Sequence, residues 1–111
     1  MDSILNSIKK LLGIDSEYTV FDTDIIIHIN TAINTLSQLG VESAKNYSII
    51  DEDNLWSDLV NDASLELIKT YIYLKVRMVF DPPTGSVSEA FKETITELEW
   101  RINNEAEIIN A

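Results

Sequence analysis

Cysteine is absent from this chain of 111 residues, and proline, glycine and histidine are scarce, with two, three and one copies. Without cysteine there is no disulfide framework, no thiolate nucleophile and no cysteine-ligated zinc. The composition therefore does not support secretion and is compatible with a reducing compartment. The three glycines are isolated, so the sequence offers no glycine-rich loop to cradle a phosphate group.

Basic residues are few as well. Eight Lys and Arg stand against 19 Asp and Glu, which gives a formal net charge of -11. Binding of nucleic acid or anionic lipid depends on Lys and Arg, so both classes of ligand are disfavoured. Uninterrupted apolar runs never approach the ~20 residues needed to span a bilayer, so no membrane association is expected. The apolar residues of the first twelve positions are interrupted by Asn6, Lys9 and Lys10, which indicates a short amphipathic helix instead of a targeting segment.

The apolar fraction is 45%, which is typical of a folded globular protein. A chain of this length buries about 65% of the surface that its unfolded form exposes, which suffices for one core. We therefore expect a single domain over residues 1–111.

Periodicity predicts an all-α fold of four to five helices. Apolar residues recur at helical spacing in five segments, near 3–12, 22–39, 54–61, 63–80 and 86–103. Between 41 and 53 the pattern breaks, and we expect a loop with at most one short strand near 47–50. The segment 63–80 is apolar around most of its circumference, so it is expected to be the central helix of a compact bundle.

Two apolar stripes run along the predicted central helix, one of them ending in Val79. Between them lies a narrow polar strip that contains Tyr73 and Arg77. Given the acidity of the chain, we expect the basic residues of this strip to pair with carboxylates of this chain or of a neighbour instead of binding phosphate.

No catalytic, metal or cofactor site is predicted. His28 is the only histidine; it lacks a Ser or Cys partner in any nucleophile motif, so an ordinary position at the edge of an apolar stripe is expected. The acidic run 51–53 begins like a calcium-binding loop. However, Leu55 and Trp56 stand at the fifth and sixth positions, where that loop needs an oxygen ligand and a glycine. We do not expect an enzyme.

Two apolar residues lie on polar helix faces. Trp100 is about 180° from Phe91 on the helical wheel, and Ile27 is about 200° from Ile25. Each would be exposed on a lone helix. Either another part of the same chain covers it, or a second subunit does, since tryptophan is enriched at interfaces. On these features an association module is favoured over an enzyme.

Several segments resemble the small head-tail connector proteins of tailed bacteriophages. The closest likeness lies in KTYIYLKVRMVFDPP at 69–83 and ELEWRIN at 97–103. It extends to the first two predicted helices, in ILNSIKKLLGI at 4–14, FDTDIIIHIN at 21–30 and LSQLGV at 36–41. The resemblance covers almost the whole chain and carries no catalytic signature.

The resemblance implies a structural role in the virion neck, with assembly in the host bacterial cytoplasm. A subunit of this family is expected to form a ring below the portal, of twelvefold symmetry, and to be able to remain monomeric alone. The ring extends the DNA channel, closes the filled head and offers a docking surface for the next neck or tail protein. Genomic DNA would pass through without specific binding, and no cofactor is implied.

The resemblance also singles out residues. It implies that Asp81, Pro82 and Pro83 form the turn that sets the last helix against the central one; Gly85, which can adopt conformations closed to other residues, allows the chain to turn back. Candidates for contacts with a neighbouring subunit or the portal are Ile27, Tyr73, Arg77, Trp100 and Arg101. The alternative function is a small acidic helical module of a prophage or bacterium that binds or regulates a host protein.

Overall fold

A computed structural model describes residues 3–60 and 63–110, with side chains up to Ala106. Its five α-helices are α1 (Ile4–Leu11), α2 (Asp22–Gln38), α3 (Trp56–Leu59), α4 (Leu65–Phe80) and α5 (Gly85–Asn110). A single 3₁₀ turn occupies Glu42–Ala44. Since the described residues contain no strand, the predicted all-α architecture is confirmed.

The central helix is α4, and both α2 and α5 pack against it. Ile68, Ile72 and Val76 of its first apolar stripe are buried as expected. Val79, at the end of that stripe, is 61% exposed instead. The stripe is therefore not covered along its whole length, because the turn of α4 that carries Val79 lies beside a groove between two neighbouring helices, described below.

Three predicted helices have other bounds in the structure. The last one, expected over 86–103, extends to Asn110. The long helix, expected from residue 63, begins at Leu65, because the Ser64 carbonyl accepts the first intrahelical bond, from Ile68 N–H at 3.0 Å. The short helix expected over 54–61 is the single turn α3. Its N-terminus is fixed by Asp58, whose Oδ2 accepts the Leu55 N–H at 2.9 Å. Asn61, at the predicted end, lies outside the described residues.

A buried lysine holds α1 to the start of α2. Lys9 is only 1% exposed, and its Nζ lies 2.8 Å from Asp22 Oδ1. The same ammonium donates to the carbonyls of Ser16 at 3.0 Å and Tyr18 at 2.8 Å. The ammonium therefore makes two hydrogen bonds and one ion pair, which compensate the burial of its charge.

The loop after α2 contains no strand because side chains satisfy its backbone. Asn30 of α2 binds Ile49 through both amide atoms: its Oδ1 accepts the Ile49 N–H at 2.7 Å, and its Nδ2 donates to the Ile49 carbonyl at 3.0 Å. Asn54 Oδ1 accepts the Ile50 N–H at 2.7 Å. Ile49 itself is buried. These bonds replace the backbone ladder that a strand near 47–50 would need.

Contacts at the helix ends set the directions of α2, α4 and α5. Phe21, just before α2, meets Phe80 at the end of α4 with ring centroids 5.3 Å apart, so α2 runs antiparallel to α4. The short connection 81–84 turns α5 back along α4. At their far ends α2 and α5 meet, where Asn103 Nδ2 donates to the Leu39 carbonyl at 3.0 Å.

Gly40 permits this meeting of α2 and α5. Its φ of 101° is disfavoured for other residues, and it lets Val41 N–H donate back to the Leu36 carbonyl at 3.1 Å. A Cβ at this position would lie 3.0 Å from the Ala106 Cβ. Glycine is therefore required both by the backbone and by the approach of α5.

Candidate interaction surface

The helices α2 and α5 converge at their C-terminal ends and leave a groove between their earlier turns. The groove has a volume of about 430 Å³, within the range of about 300–1,000 Å³ typical of ligand pockets. Its lining comes from three helices: His28, Thr31 and Ala32 of α2, Lys75, Met78 and Val79 of α4, and Lys92, Ile95, Thr96 and Glu99 of α5.

The groove joins apolar and basic side chains. Met78, Val79 and Ile95 provide the apolar part, and Lys75 and Lys92 provide two ammonium groups. Lys92 lies 3.5 Å from Glu89 of its own helix, with both side chains more than half exposed. Such an exposed pair contributes little to stability, so the ammonium of Lys92 can exchange it for a contact with another carboxylate. In a chain of net charge -11, two of eight Lys and Arg residues meet in this one groove.

The carboxylate of the groove, Glu99, already has a partner in the core. The hydroxyl of Tyr71, a fully buried residue of α4, donates to Glu99 Oε2 at 2.7 Å. Burial, and then the hydrogen bond and charge of Glu99, raise the pKa of the Tyr71 phenol far above its usual value. The phenol therefore stays a neutral donor and fixes α5 against α4 at the groove.

Ile27 and Trp100 lie on the outer faces beside the two rims of the groove. Ile27 is one turn before Thr31, which lines it from α2, and Trp100 is one turn after Thr96, which lines it from α5. Their exposed fractions are 55% and 68%. The described part of the same chain therefore covers neither residue, so the first of the two alternatives given for them is wrong for that part of the chain.

Tyr73 and Arg77 are engaged within the chain. Arg77 donates from Nη1 to the Tyr73 hydroxyl and from Nε to the Asp81 carbonyl, both at 3.2 Å. Its guanidinium also lies 5.1 Å from the ring centroid of Phe91. Since Arg77 is about 200° around α4 from Lys75, these contacts lie on the opposite side of α4 from the groove.

The remaining candidate residues lie at the end of α4 and on α5. Asp81, Pro82 and Pro83 connect the two helices, and Gly85 starts α5 with a φ of 64°, a left-handed value that suits glycine. Arg101 is exposed and lies 3.8 Å from Glu97, one turn earlier. The candidate set therefore does not form one patch: Trp100 and Ile27 flank the groove, and Tyr73 and Arg77 do not.

Sequence reasoning missed the groove itself. In the sequence, His28 is an ordinary residue at the edge of an apolar stripe, Val79 ends an apolar stripe of the central helix, and nothing marks Lys92. None of them carries a local signal, because the groove exists only through the angle at which α2 and α5 diverge. The sequence feature closest to a signal for the groove is Lys75, which lies one turn before Val79 on a helix that is apolar around most of its circumference.

Within the described ranges, no group of three or more His, Asp or Glu side chains is placed to hold a metal ion. A search of the described helices for a segment long and apolar enough to cross a membrane finds none.

A family model described as phage connector protein matches residues 4–108. The match includes all five segments on which the resemblance to head-tail connectors was based, and that resemblance is confirmed at the level of the family. No curated protein and no solved structure matches the chain significantly.

Proposed function

Because the chain belongs to the phage connector protein family, we propose that it is a neck subunit that assembles as a ring below the portal. The ring extends the DNA channel, closes the filled head and presents a docking surface to the next neck or tail protein. Its symmetry follows the twelvefold portal. The observation that carries the proposal is the family match over almost the whole chain.

The exposed apolar residues support assembly. A ring is built from head-to-tail contacts, so each subunit needs two different complementary surfaces. Trp100 and Ile27 are large apolar side chains left uncovered by the described chain, and the groove between α2, α4 and α5 is a concave surface of different chemistry. Burial of an exposed tryptophan against a neighbour is a frequent source of interface energy.

The acidity of the chain suits a DNA channel that does not bind DNA. Carboxylates on the lumen repel phosphate over roughly a Debye length, about 8 Å at physiological salt, so the genome can slide. With 19 Asp and Glu against 8 Lys and Arg, a subunit can place carboxylates toward the lumen and still keep lysines for protein contacts. Such a subunit is located in the virion neck and passes through the host cytoplasm during assembly.

The test is reconstitution with a portal protein from the genome that encodes this chain. Purified portal rings are mixed with the chain and imaged by electron microscopy, and the number of bound copies is counted by native mass spectrometry. We expect an added ring with twelve copies on each portal. A portal preparation without the chain serves as the control.

One result of this reconstitution would contradict the connector role. If the folded chain leaves portals unchanged and instead binds a host protein, the connector role is wrong. The alternative of a small regulatory module would then take its place.

A further inference from the structure

We propose that the groove between α2, α4 and α5 receives α5 of a second copy, through a surface made of Trp100, Glu93 and Glu97. We call this surface the Trp100 face. The proposal rests on the proposed function only in requiring that copies associate; it names the two surfaces that meet. Contact between them is head-to-tail, so it can repeat around a ring.

The side chains of the Trp100 face are of the kind that the groove can bind. Glu97 and Glu93 lie three and seven residues before Trp100, so all three side chains project from neighbouring turns of one face. All three residues are exposed, and Trp100 has the largest ring among the exposed apolar side chains of the described residues. The face thus offers one large apolar ring bordered by two carboxylates.

The groove offers the complement of this surface. Met78, Val79 and Ile95 can cover an indole ring, and Val79 is itself uncovered. Lys75 and Lys92 lie in the same groove and can pair with the two carboxylates. Glu99 also lines the groove and Arg101 lies 3.8 Å from Glu97, so the groove keeps a net charge of one positive unit and the face one negative unit. The two halves therefore match in polarity and in charge, which favours this register over other pairings of two acidic subunits.

A copy cannot fill its own groove with this face. Trp100 lies about 40° around α5 from Thr96 and about 140° from Ile95, which both line the groove, and with 68% of its side chain exposed it stands outside the rim. Since α5 is one wall of the groove, its outer face points away from the interior. The occupant must come from another molecule, and both surfaces of one copy remain available at once.

The experiment uses two variants that each lose one surface. Lys75→Glu/Lys92→Glu reverses the charge of the groove, and Trp100→Ala/Glu97→Lys removes the face. The matched controls are Lys10→Glu, a charge reversal at an exposed lysine of α1, and Ile50→Ala, a truncation at an exposed apolar residue of the loop. Thermal unfolding of every variant checks that it is folded.

Self-association is measured by sedimentation velocity over a wide range of concentration, alone and with portal rings. We expect each surface variant to weaken association about thirtyfold or more, as the loss of an interface hot spot does, and the controls to match the unmodified chain. Mixed together, the two variants should form a 1:1 dimer and nothing larger, because only one intact groove and one intact Trp100 face remain between them.

Tryptophan fluorescence gives a second readout. The chain has two tryptophans, and Trp56 is buried, so quenching by iodide reports mainly on Trp100. Association of the unmodified chain should protect it from iodide, and the groove variant should stay quenchable at the same concentration.

Three results would overturn the groove contact. If both surface variants assemble on portals like the unmodified chain, the groove is not the subunit contact, although the connector role stands. If the groove variant self-associates normally but no longer binds the portal, the occupant is a portal segment. If the unmodified chain neither self-associates nor binds portals, both this contact and the proposed function are wrong.

Discussion

Replacing Lys9 with methionine tests how the N-terminal helix is held to the rest of the chain. Methionine keeps most of the length and apolar contacts of the lysine stem and removes only the ammonium group. The Ser16 carbonyl at 3.0 Å and the Tyr18 carbonyl at 2.8 Å lose their donor, and Asp22 loses the ion-pair partner that lies 2.8 Å from its Oδ1.

The expected cost follows from the burial of the two partners. Breaking a buried ion pair by removing one member costs about 3–5 kcal/mol, because the other charge is left without compensation. The Asp22 side chain is 23% exposed, so water can replace part of the lost contact, and about 3 kcal/mol is expected. With an unfolding entropy of about 2.1 cal/mol/K per residue, this lowers Tm by roughly 13 °C.

The assay is thermal and urea unfolding followed by circular dichroism, with Lys10→Met as the matched control. Lys10 is the next residue on α1 and is exposed, so its replacement should change stability by less than about 0.5 kcal/mol. Adding Asp22→Asn to Lys9→Met should recover about 1 kcal/mol, because the unpaired charge is removed. Equal stabilities of Lys9→Met and Lys10→Met would refute the claim that the buried ammonium anchors α1.

Three further substitutions test other contacts. Asn30→Asp keeps the oxygen that accepts the Ile49 N–H but replaces the donor to the Ile49 carbonyl with a second oxygen, so it should cost about 2 kcal/mol in urea unfolding. Asn34→Asp, one turn later and exposed, is the control and should leave the stability unchanged. Gly40→Ala places a Cβ 3.0 Å from the Ala106 Cβ at a residue of positive φ, whereas Gly13→Ala has a positive φ but no atom near its Cβ. In urea unfolding Gly40→Ala should therefore cost at least about 1 kcal/mol more than Gly13→Ala. Equal costs would show that α5 does not approach Gly40 closely. Tyr71→Phe should cost about 1–2 kcal/mol at neutral pH through the lost hydrogen bond. Because the pKa of this phenol is raised in the folded state, its contribution is complete below the unfolded value of about 10 and declines as pH rises above it. The variant should therefore lose less stability above pH 10 than the unmodified chain, and parallel pH profiles would contradict the buried phenol.

Most of the helices follow from periodicity because each depends on spacing along one segment. Ile25, Ile29 and Leu36 share a face of α2 at any arrangement of the bundle, and each is buried. Val79 has the same spacing signal on α4 and is exposed. Periodicity specifies which residues share a face and leaves open how far along the helix that face is covered.

The anchoring contacts could not be read from the sequence, because each joins a side chain to a backbone atom 7 to 64 residues away, outside the regular spacing of one helix. Asn30 reaches Ile49, Asn103 reaches Leu39, and Lys9 reaches two carbonyls of the connector. On a helical wheel Asn30 counts only as a polar residue, and Lys9 as a solvated one. Their partners are backbone groups, which every residue carries, so the residue types in the sequence do not indicate which groups pair.

The sequence by itself determined the helical class, the excess of acidic over basic residues and the membership of the connector family, since these depend on composition, spacing and the order of residues. It also placed Trp100 and Ile27 on polar helix faces. Only the tertiary structure decided that nothing in the described chain covers them, and that Lys75, Lys92 and Val79 meet in one groove. The physical reason is that a groove depends on the angle between helices, and that angle is set by distant contacts such as the approach of Ala106 to Gly40.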